Sequence, residues 1–222
     1  MGGETDKLFL ELAGRPLIAH TWERFERAPR IDTLVLVIRP EAEERFRETA
    51  RRYGFRKPYR FAPGGRERQD SVWNGLEALP PGVRLAAIHD GARPCVRPEL
   101  IEKTLEAAEE DGAAAAASRV TDTIKESDGG AFIARHLDRS RLWSVQTPQT
   151  FRVEVIREAL QTVRAKGLVF TDDTAACGFI GRRVRLVEWN EPNPKVTAPA
   201  DVPFVEMWLR RQLEEAGRGG TA

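Results

Sequence analysis

The segment Leu85-Ala86-Ala87-Ile88-His89-Asp90-Gly91-Ala92-Arg93-Pro94 decides the fold class of this chain. Its first half is a short apolar run, typical of a buried strand in an α/β sheet. A glycine, an alanine and a proline end that run, which places Asp90 and Arg93 at the carboxyl edge of the sheet, where such folds bind ligands. An aspartate there suits Mg²⁺ and an arginine suits a phosphate. The segment alone is equally compatible with a turn whose aspartate caps a helix and whose arginine is merely solvated.

The composition limits the classes of protein to consider. The chain has 222 residues, 41% of them hydrophobic and 31% charged, which is enough for one sizeable α/β domain. Its 35 basic and 34 acidic residues give a net charge of +1, so a nucleic-acid partner is not expected. The only cysteines are Cys95 and Cys177, which fits a reducing cytoplasm. The sequence has no long uncharged apolar run of the kind that forms a signal peptide or a membrane span. We therefore expect a soluble cytoplasmic protein with no membrane partner.

Strand-forming runs and amphipathic segments alternate along the chain, which predicts the α/β class. Strands are predicted at residues 31–38, 85–90, 113–120 and 184–189, and helices at residues 17–25, 41–53, 98–110, 151–166 and 202–216. A further helix, which contains Val72, Leu76 and Leu79, is predicted after the break at Gly64-Gly65. The alanine-rich run Ala113–Val120 is assigned to a strand because a helix ends just before it, at Asp111-Gly112, and the alternation continues. Residues 121–150 break the alternation. They contain the turn signal Asp128-Gly129-Gly130, so we interpret them as a projecting β-arm.

Further segments carry residues suited to phosphate chemistry, and each also has a plain structural explanation. The run Gly64–Ser71 is a glycine pair leading into a helix amino terminus, which favours anions but is also a common turn and cap. Lys7 is a lone cation of the kind usually found on surfaces, and Lys195 follows the last strand, at a sheet edge or in a turn. Thr171-Asp172-Asp173 precedes a helix and, taken alone, favours a simple cap. The arm is rich in hydroxyls and cations, which suit sugar or phosphate recognition as well as ordinary exposed strands.

Other catalytic arrangements find no support in the sequence. His20, His89 and His136 have no spacing that forms a metal site, and no Ser-His-Asp or Cys-His arrangement can be argued.

Taken together and in this order, the segments closely resemble the 2-C-methyl-D-erythritol 4-phosphate cytidylyltransferase family. Any one motif is weak, but the ordered set covers nearly the whole chain and is highly specific. The matching stretches are Asp6–Leu12, Gly14–Leu17, Gly64-Gly65, Glu67–Val72, His89–Pro94, Val120–Lys125, Asp138-Arg139, Leu142-Trp143, Gln146–Gln149, Thr171–Asp173 and Lys195–Thr197.

The resemblance implies a Rossmann-like nucleotidyltransferase fold for residues 1–222 as a single domain. This fold is a three-layer sandwich with a mostly parallel sheet and a β-arm at about residues 121–150. It also implies a homodimer whose arms embrace the partner. The implied reaction joins CTP to a sugar-alcohol phosphate: a phosphate oxygen attacks the α-phosphorus of CTP and displaces pyrophosphate.

The same resemblance implies roles for individual residues. Lys7 and Lys195 would be catalytic, compensating charge on the α-phosphoryl group, and Asp90 would hold Mg²⁺ or another divalent cation. Gly65, Ser71 and Gly91 would contact the cytidine nucleotide. The methylerythritol phosphate contacts would be Arg93, Thr123, Arg139, Thr147 and Thr171, and those on the arm would serve the partner subunit's site.

The chain departs from the family pattern at its beginning. Family members start with a strand and a glycine- and arginine-containing loop before the lysine, and this chain starts at what resembles the last two residues of that loop. We therefore expect Met1 to be an internal methionine, with a central strand and the triphosphate-gripping loop encoded upstream, because losing that strand would expose two strand edges. Gly91 stands where alanine is usual and Pro194 where isoleucine is usual.

Two alternatives remain open. A ribitol-5-phosphate cytidylyltransferase shares the fold and the nucleotide motifs, and only the arm residues select the sugar. An inactive, truncated nucleotide-binding domain is motivated by the missing loop, although such a domain has no need to keep Lys7, Asp90, Arg139 and Lys195 together.

Overall fold

The computed structural model describes residues 7–219, so Met1–Asp6, on which the expectation about the chain start falls, lie outside it. The strands are β1 Glu11–Leu12, β2 Arg15–Pro16, β3 Leu34–Ile38, β4 Tyr59–Pro63, β5 Leu85–Ile88, β6 Ala113–Arg119, β7 Lys125–Ser127, β8 Ile133–His136, β9 Trp143–Arg152 and β10 Arg185–Glu188. The helices are α1 Leu17–Arg27, α2 Glu43–Tyr53, α3 Arg68–Glu77, α4 Pro98–Asp111, α5 Val153–Ala165, α6 Asp173–Phe179 and α7 Val202–Gly219. None of these helices is long and apolar enough to cross a membrane.

The main sheet has four strands in the order β10-β6-β9-β5. Its centre is the alanine run of β6, where Ala113 is 1% exposed and the next four alanines are 0% exposed. Their small side chains let α4 pack closely on this strand, which explains why an alanine-rich sequence forms a strand here. The α/β class is therefore confirmed. Within it β10 is parallel to β6, whereas β9 runs antiparallel to both of its neighbours.

The antiparallel strand β9 also shortens the predicted arm. Residues 143–150, which the sequence assigned to the arm at about 121–150, belong instead to the main sheet. A proline in the middle of a central strand normally argues against that assignment, because it cannot donate to the ladder. Pro148 is accommodated where the register with β6 shifts between Ala115 and Ala117, so no ladder bond is required of it. The arm proper is the exposed hairpin of β7 and β8.

A cleft separates the main sheet from the parallel pair β3-β4. Strand β3 lines one wall and β5 the other, and the cavity volume is about 1230 Å³. Within residues 7–219, no strand pairs with the facing edges of β3 and β5. Strand β4 was not anticipated from the sequence, although its alternation of Tyr59 and Phe61 is the pattern of a half-buried strand.

Two thiols are buried in different apolar clusters. Cys95 packs with Leu12, Leu17, Val205 and Leu209 beneath α7, whereas Cys177 packs with residues of α5. Both are free thiols, and burial raises the pKa of each to about 12.

Candidate active site

Asp90 is the centre of a polar cluster just beyond the carboxyl end of β5. Lys195 Nζ lies 3.0 Å from Asp90 Oδ2, and Arg93 Nε lies 3.4 Å from the same oxygen. The tight turn that follows β5 brings Arg93 back, because its backbone N–H donates to the Asp90 carbonyl at 3.0 Å. The structure therefore brings Lys195 next to Asp90 and Arg93, the two residues that the sequence placed at the sheet edge.

The charges of this cluster keep Asp90 ionised. Burial alone would raise the pKa of the Asp90 carboxyl, but Lys195, followed by Arg93 and His89, holds that pKa below its ordinary value. Burial lowers the pKa of the neighbouring His89 imidazole to about 4, so this residue is neutral at physiological pH. The site at neutral pH thus contains one carboxylate faced by a lysine and an arginine.

Asn193 holds the cluster together, and the sequence analysis assigned it no role. Its side chain is 2% exposed, and its Nδ2 donates to the carbonyl of Thr147 at 2.9 Å. The backbone carbonyl of Asn193 accepts a hydrogen bond of 2.7 Å from Arg93 Nη1. Thr147 Oγ1 in turn accepts from the Asp90 backbone N–H at 3.1 Å. The Asn-Pro pair before Lys195 was the available signal, because a turn there needs an anchor.

The glycine loop, residues 64–67, lies across the cleft from this cluster. Gly65 N–H donates to Ser71 Oγ at 2.9 Å, which closes the loop onto the first turn of α3. A Cβ atom at Gly65 would lie 2.3 Å from Asp70 Cβ and 2.8 Å from the Asp70 carbonyl carbon. Glycine is therefore required at position 65 because α3 begins too close to the loop for any side chain.

Six of the predicted residues line one and the same cleft: Lys7, Gly65, Ser71, Asp90, Gly91 and Lys195. Lys7 is held there by the segment that follows it, since the Leu8 carbonyl accepts a hydrogen bond of 2.9 Å from Ile18 N–H at the start of α1. At Gly91 an alanine Cβ would lie 3.3 Å from Ile18 Cδ1, a tight contact that would require the Ile18 side chain to shift by a few tenths of an ångström.

None of the five predicted substrate residues lines the cleft. Arg93 and Thr147 belong to the cluster around Asp90, and Thr147 lies in β9 of the main sheet rather than on the arm. The other three lie farther away. Thr171 is exposed in the segment before α6, outside the lining of the cleft. Thr123 and Arg139 are exposed at the base of the arm, where Arg139 donates to the Thr121 carbonyl. Within a single copy of residues 7–219, neither lines the cleft.

Asp90 is the side chain predicted to hold a divalent cation. Within residues 7–219, no group of three or more His, Cys, Asp or Glu side chains is arranged to hold a metal ion. Asp90 alone fits Mg²⁺, because this ion is commonly held by one or two carboxylates together with substrate phosphates and water. The site therefore suits a cation that arrives with a phosphate ligand rather than a resident metal.

An α/β sheet that ends in an ion-paired carboxylate and two lysines, opposite a glycine loop at a helix start, defines a nucleotidyltransferase. Residues 1–211 match the profile of the family described as IspD: 2-C-methyl-D-erythritol 4-phosphate cytidylyltransferase. The chain belongs to this family.

Individual relatives agree with this assignment. The chain is 43% identical over 215 residues to the 2-C-methyl-D-erythritol 4-phosphate cytidylyltransferase of Geobacillus thermodenitrificans, a match that covers 97% of this chain and 93% of the relative. It is 41% identical over 221 residues to the enzyme of that name from Pelotomaculum thermopropionicum, covering 98% and 93%.

Solved structures show the same likeness. The fold matches the 4-diphosphocytidyl-2C-methyl-D-erythritol synthase of Anaerococcus prevotii with a TM-score of 0.84 and 29% identity, over 90% of this chain and 88% of that one. It matches the cytidylyltransferase of Thermus thermophilus with a TM-score of 0.74 and 33% identity, over 92% and 93%.

Proposed function

We propose that the chain joins CTP and 2-C-methyl-D-erythritol 4-phosphate to give 4-diphosphocytidyl-2-C-methyl-D-erythritol and pyrophosphate, a step of non-mevalonate isoprenoid biosynthesis. The observation that carries this proposal is the ion-paired Asp90 and Lys195 facing the glycine loop across one cleft. Family membership supports the choice of methylerythritol phosphate over ribitol phosphate, because the relatives compared above carry the former name.

The chemistry requires no protein nucleophile. An oxygen of the methylerythritol phosphate forms a bond to the α-phosphorus of CTP, the bond from that phosphorus to the bridging oxygen breaks, and pyrophosphate leaves with the electron pair. Negative charge builds on the α-phosphoryl oxygens and on the leaving group as this happens. Lys195 and Lys7 line the cleft and supply preorganised positive charge, and the glycine loop lets the backbone approach the nucleotide closely.

A divalent cation completes this proposal. Asp90 would hold Mg²⁺ together with phosphate oxygens of CTP, and the ion would neutralise triphosphate charge when bound. In the structure Asp90 Oδ2 is engaged by Lys195, so the lysine also keeps the carboxylate ionised and in place before the nucleotide arrives.

The experiment that tests the proposal is pyrophosphate release from CTP and Mg²⁺ with methylerythritol phosphate or ribitol 5-phosphate offered separately. We expect turnover with methylerythritol phosphate and its loss when EDTA removes the cation. Turnover with ribitol 5-phosphate alone would identify the chain as a ribitol-5-phosphate cytidylyltransferase instead. The absence of turnover with either substrate in a folded, CTP-binding chain would support the inactive-domain alternative.

We further propose a homodimer in which the arm of one protomer completes the site of its partner. The arm places Arg139 and Thr123 outside the cleft of their own chain, and its hairpin exposes 77% of Phe132 and 58% of Ile133. Exposed apolar side chains together on a hairpin mark an interaction surface. A cytoplasmic location fits two free, buried cysteines.

Arg139→Met is expected to lower kcat/KM about 100-fold, because a charge-assisted contact to the substrate phosphate is lost. If the arm serves the partner, coexpression with an inactive Lys195→Met chain restores about a quarter of wild-type activity, since half of the dimers then hold one intact site. Arg135→Met, which removes another exposed arm cation, serves as the control. Activity of the mixture equal to the average of the two variants would contradict a shared site.

A further inference from the structure

The segment Leu168–Asp172, here called the Thr171 segment, is fastened to the rest of the protein by the side chains of two glutamines. Gln69 Nε2 donates to the Leu168 carbonyl at 2.9 Å, and Gln69 Oε1 accepts from Phe170 N–H at 3.2 Å. Gln149 Nε2 donates to Asp172 Oδ2 at 3.1 Å, and Gln149 Oε1 accepts from the next backbone N–H at 3.2 Å. Gln69 therefore pairs with the backbone of the segment as a neighbouring strand would, whereas Gln149 holds one side-chain oxygen and one backbone N–H.

The two glutamines come from the elements that build the active site. Gln69 is the second residue of α3, whose first turn closes the glycine loop. Gln149 lies in β9 directly opposite Ile88, and Ile88 is two residues before Asp90 in the chain. The Thr171 segment is thus tied both to the nucleotide side of the cleft and to the strand that carries Asp90.

Asp173, which follows this segment, forms an ion pair with Arg68, and the aspartate is far more buried than the arginine. Asp173 is 1% exposed, and its Oδ2 lies 2.7 Å from Arg68 Nη1, whose side chain is 34% exposed. Apart from this contact with Arg68, neither carboxylate oxygen of Asp173 has a hydrogen-bond partner among the described residues. Burial raises the pKa of Asp173, Arg68 opposes that rise, and the nearby charge of Asp90 adds to it.

Such a carboxylate is costly to keep in the interior, because a buried charge is normally satisfied by several hydrogen bonds. Its one cationic partner among residues 7–219 is the first residue of α3 and lines the cleft. The Thr171 segment itself does not line the cleft. The ion pair is therefore a link between a residue that lines the cleft and a segment that does not.

We propose that Asp173 is a positioning residue that holds Arg68 at the mouth of the cleft and so couples the glycine loop to the Thr171 segment. Occupation of the glycine loop by CTP then orders the segment that receives the sugar-alcohol phosphate. This inference rests on the proposed function for the identity of the two ligands. Asp173 touches neither of them.

The test compares Asp173→Asn, Arg68→Met and the double variant. Each single variant is expected to raise the KM for both substrates about 10-fold with a smaller change in kcat, and the double variant to be no worse than the singles. Arg68→Lys keeps the charge and is expected to recover most of the loss. The control is Glu77→Gln, which breaks the ion pair to Arg157 at the far end of the same helix. Single-variant effects that add in the double variant, or KM values within twofold of wild type, would overturn the proposal.

Hydrogen exchange separates this coupling from loss of stability and from the choice of substrate. Adding CTP and Mg²⁺ to the full chain is expected to slow exchange at the glycine loop and in the Thr171 segment. In Asp173→Asn only the glycine loop is expected to be protected, and Arg68→Met repeats the test if the first variant does not fold. Protection of both regions in the variant would overturn the inference. Coupled protection in a wild-type chain without turnover would support the inference while refuting the proposed reaction.

Discussion

Lys195→Met is expected to lower kcat for pyrophosphate release on the order of 10³-fold, with little loss of stability. The ammonium group lies 3.0 Å from Asp90 Oδ2 and lines the cleft, where the proposed reaction would develop charge on the transferred phosphoryl group. Methionine keeps the length and most of the apolar stem of lysine, so packing is preserved while the charge is removed.

Lys195→Met is also expected to change the pH dependence of kcat/KM. Lys195 is the strongest of the neighbours that hold the pKa of Asp90 below its ordinary value. Without the lysine, that pKa rises, so the acidic limb of the kcat/KM profile moves to higher pH. Lys166→Met, at the exposed end of α5, is the matched control and should change neither rate nor profile. If Lys195→Met lowers kcat no more than Lys166→Met does, Lys195 has no role in the mechanism.

Gly65→Ala is expected to lower kcat/KM for CTP at least about 30-fold, because contacts across a site depend on placement to within an ångström. The new Cβ would lie 2.3 Å from Asp70 Cβ, a distance that forces the glycine loop away from α3. The hydrogen bond from Gly65 N–H to Ser71 Oγ is then broken.

Gly64→Ala provides the comparison within the same loop. The nearest atoms to a Cβ at Gly64 are the Ile38 carbonyl oxygen and Ser71 Oγ, both at 3.9 Å, so the methyl group fits without movement. Titration with CTP should show a much larger rise in Kd for Gly65→Ala than for Gly64→Ala. Equal effects would mean that the loop needs glycine for its ligand rather than for its contact with α3.

The parts of this protein that follow from local sequence were predictable. The apolar run before Asp90 and the glycine pair before Ser71 place chemical groups at strand and helix ends, and neighbouring ends meet at one edge of a sheet. Even the alanine run of β6 could be assigned, because a helix stop at Gly112 outweighed the helical propensity of alanine.

The parts that depend on contacts between distant segments were not predictable. Strand β9 contains Pro148 and carries polar residues, so its own sequence favours an arm, and only its place between β5 and β6 makes it a strand of the main sheet. The anchoring role of Asn193 depends on Thr147 and Arg93, which are 46 and 100 residues away. The Arg68–Asp173 ion pair likewise joins two motifs that each read as simple caps.

The two buried thiols allow local unfolding of the protein to be measured by thiol labelling. A thiol whose pKa is about 12 and which is shielded from solvent does not react with alkylating reagents until its surroundings open. Because Cys95 lies beneath α7 and Cys177 lies beside α5, their labelling rates report on two different regions. Labelling of a chain with no added cysteines therefore distinguishes opening of one region from cooperative unfolding, and slower labelling at one thiol on adding CTP identifies the region that the nucleotide stabilises.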